Sequence, residues 1–237
     1  MESGQSALRF WSAFLGDAWR PGGLALTDRA VSVCDFPAQA RLGDVGCGLG
    51  ATVDHLRNRY GFKAWGMDIS MEALAGGQPG FRIQTAAETL PLSSESLDGL
   101  FCECMLSLLA FPGSSLREFN RVLQRNGALV ISDLYLRRPV EGLNLGFPPG
   151  HSCLGGAMGS REWTAQVEEA GFELLCWEDH SFLLAELTAR LVWELGSREA
   201  LFENLFPCSG PGYPGKNLSW VRPGYFLLIA RKKAENR

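Results

Sequence analysis

Two spacings of apolar residues alternate along the chain. Short apolar runs bounded by glycine, acids or turn residues read as buried strands, and longer stretches with apolar residues three and four apart read as helices packed on them. Strand signals fall on a run ending at Val45 and on residues 62–67, 81–84, 97–102, 128–134, 172–177 and 225–230. Between them, Val53, Leu56 and Tyr60 mark a helix ended by Gly61, and Leu116, Phe119, Val122 and Leu123 mark another that turns at Asn126-Gly127. Ser70 is positioned to cap a short helix over 71–75, and Ser160 to cap one that carries Trp163, Val167 and Ala170 and stops at Gly171. Residues 24–34 form a helix after the break at Arg20-Pro21-Gly22-Gly23. Residues 181–206 read as one helix, with Leu183, Leu187, Leu191 and Leu195 at intervals of four. The alternation is that of βαβ units, whose right-handed crossovers give a parallel sheet with helices on both faces and a ligand edge at the strands' C-terminal ends. The expected fold class is α/β and Rossmann-like.

The ends of this pattern are less regular. Leu8, Trp11, Phe14 and Leu15 recur at helical spacing within residues 7–19, so residues 1–23 are expected as a helical cover over the ligand cleft or as packing on the sheet. Residues 207–215 alternate glycine and proline and form a loop before the last strand. With 237 residues and no repeat, one domain spanning 1–237 is expected. A net charge of −4 argues against a nucleic-acid partner and leaves a small-molecule substrate. The first ten residues lack a basic start followed by an apolar stretch, and no run approaches the ~18 apolar residues of a membrane span, so a cytoplasmic protein is expected. The oligomeric state is left open.

The chemistry concentrates in Leu42-Gly43-Asp44-Val45-Gly46-Cys47-Gly48-Leu49-Gly50. A strand, glycines at every second position and a helix start make a place where a ligand lies against backbone, with bare amides expected there. The spacing is not the Gly-x-Gly-x-x-Gly of a dinucleotide site, and Asp44 would repel a pyrophosphate while attracting an ammonium or sulfonium. Asp68 closes the next apolar run, where a carboxylate can accept ribose hydroxyls.

These residues, with the acid of Gly66-Met67-Asp68-Ile69-Ser70, the segment Ala87-Glu88-Thr89-Leu90-Pro91 and residues 97–109, resemble the class I S-adenosylmethionine-dependent methyltransferases. The resemblance implies a seven-stranded, mostly parallel sheet with the last strand inserted antiparallel. It implies S-adenosyl-L-methionine as cofactor, held by Asp44, Gly46, Cys47, Gly48, Gly50, Asp68, Ile69, Ala87, Glu88 and the main chain at Cys102. In that family an acid usually precedes the Ala-Glu pair and contacts the adenine amino group; this chain has Ala86 there.

Seven cysteines, Cys34, Cys47, Cys102, Cys104, Cys153, Cys176 and Cys208, are read as thiols; their spacings do not suit structural zinc, and no metal cofactor is expected. Strands four and five end near Cys102 and Leu134, so Cys104 and Cys153 leave the same sheet edge. Here the chain resembles the arsenite methyltransferases: residues 103–108 are similar to their Asn-Cys-Val-Ile-Asn-Leu, Ser152-Cys153-Leu154-Gly155-Gly156-Ala157 to their Glu-Cys-Leu-Gly-Gly-Ala, and Ser132-Asp133-Leu134-Tyr135 to their Ser-Asp-Val-Tyr. The resemblance makes Cys104 and Cys153 thiolate ligands of trivalent arsenic. The family's third cysteine matches Gly22, and Cys34 and Cys208 are the alternatives for that ligand. His151 stands beside Cys153 as a candidate proton holder, with Tyr135 and Glu103 as other bases should the acceptor be carbon or oxygen, as in a quinone-type ring. A non-catalytic cofactor-binding module is the remaining alternative.

Overall fold

A computed structural model describes residues 18, 20–77, 80–138, 152–205 and 222–234. The expectations for residues 7–17, 19 and 207–215, and for His151 and Cys208, lie outside the described residues.

A helix α1 (Gly23–Cys34) leads into β1 (Arg41–Val45), and the chain continues through α2 (Ala51–Tyr60), β2 (Lys63–Asp68), α3 (Met71–Gly76), β3 (Arg82–Gln84) and β4 (Leu97–Glu103). A short 3-10 turn (Leu106–Leu108) precedes α4 (Pro112–Val122), β5 (Leu123–Leu136), α5 (Ser160–Glu169), β6 (Phe172–Asp179), α6 (Ser181–Leu195), α7 (Arg198–Leu205) and β7 (Pro223–Lys232). The seven strands form one sheet in the order β3-β2-β1-β4-β5-β7-β6. β1 to β5 pair in parallel, and β7 runs antiparallel to both β5 and β6. The sheet is therefore Rossmann-like and mostly parallel, with the last strand inserted against the direction of the rest.

Both faces of the sheet are covered, so the central strands carry apolar residues without alternation. β7 is buried from Gly224 to Ala230. On one face Leu116, Phe119 and Val122 of α4 and Trp163 and Val167 of α5 pack against Leu129, Ile131, Phe226 and Leu228. On the other, Leu26, Ala30 and Val31 of α1 and Val53 and Leu56 of α2 pack against Leu42, Phe101, Val130 and Tyr225. Ser70 caps α3 by accepting the Ala73 N–H at 3.2 Å, and Gly61 ends α2 at φ 70°.

Three local expectations change. The cap of α5 is Gly159, not Ser160: the Gly159 N–H donates to Glu162 Oε2 at 2.6 Å, and Ser160 is the first helical residue. The expected helix over 181–206 is two helices, because Gly196 adopts φ 82° and ends α6. Of the four leucines at intervals of four, only Leu191 is buried. β5 starts at Leu123, five residues earlier than its apolar run, and carries Asn126 at φ 60° as an irregularity within the strand.

Candidate active site

The C-terminal ends of β1, β2, β4 and β5 and the N-terminal end of β7 meet at one edge. Between β1 and α2, Gly46, Gly48 and Gly50 all take positive φ, at 78°, 53° and 83°. A β-carbon at Gly46 would stand 2.4 Å from Met105 Cγ, and one at Gly50 would stand 2.1 Å from Arg82 Nε. At Gly48 it would meet nothing within 4 Å. Packing and conformation thus fix the first and third glycines, whereas the middle one faces open space suited to a ligand.

Four of the amides expected to be bare in this loop are already engaged. Gly46 and Cys47 donate to Met67 O at 2.7 and 3.2 Å, and Gly50 donates to Cys47 O at 2.8 Å. Gly48 donates to Asp68 Oδ2 and Ser70 to Asp68 Oδ1, both at 2.8 Å. Asp68 therefore ties the glycine loop to the start of α3, and each oxygen retains a lone pair for a hydroxyl. Ile69 beside it is 72% exposed, Ala87 is buried and Glu88 is exposed. Cys47 turns into the core, its sulfur 2.6 Å from where a β-carbon on Gly66 would lie, so only its backbone faces the loop. Cys102 is fully buried on the α4 and α5 face.

Asp44 is buried at the end of β1, between Gly66 of β2 and Phe101 of β4. Burial and the neighbouring Glu103 hold its carboxyl well above the usual range, with Arg20 pulling the other way. Glu103, the last residue of β4, is buried and ion-paired to Arg20 Nη2 at 2.8 Å. Thr27 of α1 and Thr52 of α2 donate to its two oxygens at 3.1 and 2.8 Å. Arg20 itself donates to the same threonines at 2.5 and 3.1 Å, and its Nε has no partner among the described residues. Glu103 is thus committed to a buried ion pair and is not a free base. Arg20, which the sequence marked only as a helix break, is the cation at the centre of the site.

Cys104 follows Glu103 at φ 54°, a conformation that costs a residue with a β-carbon roughly 1–2 kcal/mol. Its N–H is held by Ser132 O at 2.7 Å. Its sulfur lies 3.1 Å from the Tyr225 hydroxyl, which donates to Ser132 Oγ at 3.1 Å, so in that arrangement the thiol donates to Tyr225. Cys153 approaches from the loop before α5, its thiol donating to Cys104 O at 3.6 Å. The structure brings these two cysteines together. The loop is seated by Gly156, where a β-carbon would stand 1.9 Å from Ser107 O. Ser107 is fixed in turn by Asp133, which accepts its N–H at 2.9 Å and its hydroxyl at 2.6 Å. Asp133 also accepts the Leu134 N–H, and burial lifts it to about 6 despite these donors.

The expected thiolates are neutral thiols here. Burial and then Asp133 push Cys153 up to about 12, and burial and then Cys153 raise Cys104. Other candidates lie elsewhere. Gly22, at the position of the family's third cysteine, has φ 77° and a β-carbon there would stand 2.8 Å from Leu183 Cδ1, so a cysteine does not fit. Cys34 neighbours Arg231 and Cys176, at the opposite end of β7 from Tyr225, and cannot supply the missing ligand. Tyr135 stands on the other face of the sheet, edge-on to Trp177 and Phe226, with its hydroxyl toward Asp179 and Ser181.

Residues 43–131 match the family described as a methyltransferase domain, Methyltransf_11. That segment is similar to a methyltransferase domain and runs from within β1 to within β5, with the glycine loop and Asp68 inside it. The chain is 32% identical to an uncharacterized protein of Haemophilus influenzae, over 49% of this chain and 51% of that protein. It is 25% identical to Methyltransferase GfsG of Streptomyces halstedii, over 67% of this chain and 62% of that one. The chain thus spans about half to three-fifths of the length of these relatives. In fold it is similar to Haemonchus contortus phosphoethanolamine N-methyltransferase 2 in complex with S-adenosyl-L-methionine, with a TM-score of 0.76 at 15% identity over 99% of this chain and 58% of that one.

The cofactor of such a domain is S-adenosylmethionine, and the residues of the methyltransferase domain fit it. Gly48 leaves open space, Asp68 has lone pairs to spare, and the Asp44 carboxyl accepts no hydrogen bond among the described residues. Arg20 keeps the buried Nε donor without a partner among the described residues. Among the described residues, no helix is long and apolar enough to cross a membrane.

Proposed function

We propose that this chain transfers a methyl group from S-adenosylmethionine to a small thiophilic acceptor, of which trivalent arsenic is the first candidate, with Cys104 and Cys153 as its ligands. The observation that carries the reading is the approach of the Cys153 thiol to the Cys104 carbonyl at the edge that also holds Asp44 and Glu103. Soft centres favour sulfur over oxygen, and two cysteines on a shared loop contact offer a dithiol clamp.

Neutral thiols suit this acceptor. Arsenous acid carries its own bases: each As–O bond that breaks takes the proton of one thiol and leaves as water, so two As–S bonds form without free thiolate. The arsenic keeps its third hydroxyl and its lone pair, which agrees with the lack of a third cysteine among the described residues at this edge and of any free base. S-adenosylmethionine supplies the electrophilic methyl group when bound. The chain's own work is to hold the acceptor, through Cys104, Cys153 and the Tyr225 hydroxyl behind them, in a site sheltered from water.

The test is methyl transfer from labelled cofactor to arsenite, together with binding of phenylarsine oxide. Cys104→Ser and Cys153→Ser should each abolish tight arsenical binding and leave S-adenosylhomocysteine affinity unchanged. Wild-type protein that neither binds arsenicals nor yields methylated arsenic would refute the acceptor, and the two thiols would be packing residues.

A further inference from the structure

The buried cation at this edge is left incomplete among the described residues. Arg20 Nε is buried and makes no hydrogen bond there, while Nη2 alone meets Glu103, Thr27 and Thr52. An orphaned donor on a buried cation is costly, and a native fold keeps one only where something else completes it. Around it two carboxyls share one cation: Glu103 is ion-paired to Arg20, while burial and Glu103 hold the Asp44 carboxyl toward its neutral form. An ammonium beside Asp44 would favour its ionised form, and the buried trio would then carry one negative charge.

S-adenosylmethionine has the complementary set. Its methionine moiety bears an ammonium and a carboxylate, and its sulfonium adds one positive charge, so the cofactor sums to one positive charge. We propose that Arg20 is a cofactor-binding residue whose free Nε edge takes the carboxylate of the methionine moiety, while Asp44 takes the ammonium. Filling the site satisfies the orphaned donor and brings the buried charges to zero. The inference rests on the cofactor reading of the domain and is independent of which acceptor is methylated.

Thr27 and Thr52 have a defined part in this. They bridge Arg20 to Glu103 from α1 and α2, so the guanidinium is held in one orientation with Nε left over. Glu103 is then a positioning residue: it fixes the cation and does not meet the cofactor.

Decarboxylated S-adenosylmethionine separates this from a purely structural role, since it keeps the sulfonium and the amine and lacks only the carboxylate. Calorimetry on wild-type protein should give roughly ten- to a hundredfold weaker binding of this analogue than of S-adenosylmethionine. Arg20→Gln should lose a similar factor toward S-adenosylmethionine and S-adenosylhomocysteine and lose almost nothing toward the decarboxylated analogue. Because Arg20→Gln leaves Glu103 buried without its partner, the double variant Arg20→Gln/Glu103→Gln, with its melting temperature recorded, serves as the second test and should show the same selectivity. Equal losses toward all three ligands in a folded variant would overturn the assignment, as would equal wild-type affinity for S-adenosylmethionine and its decarboxylated form. Wild-type protein that binds none of them would instead overturn the cofactor reading on which the assignment stands.

Discussion

Gly156→Ala is the smallest change that bears on how the thiols meet. Gly156 does not have the positive φ that excludes side chains, so alanine carries no backbone penalty of that kind there. The obstacle is contact: the new β-carbon would lie 1.9 Å from Ser107 O, a backbone atom locked by the two hydrogen bonds from Ser107 to Asp133. A carbon to carbonyl-oxygen contact normally opens at about 3.3 Å, so the loop must retreat by about 1.4 Å. Overpacking of this kind costs ~1–3 kcal/mol. The retreat carries Cys153, three residues earlier, away from Cys104 O. The variant should melt lower, lose phenylarsine oxide binding by about tenfold or more, and keep S-adenosylhomocysteine affinity, because the glycine loop and Asp68 do not touch this segment. Urea denaturation and calorimetry read the effects separately. Stability within ~0.5 kcal/mol of wild type together with undiminished arsenical binding would refute the claim that Gly156 seats the cysteine loop.

Asp133, lifted by burial to about 6 from an ordinary 3.8, binds its proton more tightly in the folded chain. The stabilisation from that proton is complete below about pH 4 and is lost as pH rises through about 6. The stability of Asp133→Asn relative to wild type should therefore improve by up to ~3 kcal/mol between pH 4 and 7, and a pH-independent difference in urea titrations would contradict the buried assignment. Asp68→Ala should orphan the Gly48 and Ser70 amides, cost about 1–3 kcal/mol for each that stays buried, and weaken S-adenosylhomocysteine at least tenfold. Unchanged affinity by calorimetry would remove Asp68 from the cofactor site.

What the sequence made legible was local. Gly46, Gly48 and Gly50 stand two apart after an apolar run, and their positive φ values follow from that loop. The strands were readable because β7 and the central strands lie between two helical layers and so are apolar throughout. The Arg20–Glu103 pair was not legible: the partners are 83 positions apart, and the threonines joining them sit in helices whose apolar spacing masks their role. Tyr225 read as a strand residue, since nothing in a sequence shows that a hydroxyl ends beside a thiol 121 positions away. The break in the helix expected over 181–206 was hidden by leucines at intervals of four, which matched a helical period although most of them are not buried. Gly196, two residues from the start of α7, was the signal that could have overruled them.

The antiparallel insertion of β7 sets an order of events during synthesis. β7 supplies the neighbour on one side of β5 and the sheet partner of β6, and it also brings Tyr225 beneath Cys104. Domains begin to organise from the N-terminal side as the chain emerges, and here β1 to β5 can pair as soon as they are made. Until residues 223–232 leave the ribosome, β5 presents an open apolar margin and β6 has nothing to join. The glycine loop is therefore among the first parts of this molecule able to form, and the thiol pocket among the last, so a nascent chain would hold the proposed methyl-donor cradle before the proposed acceptor site.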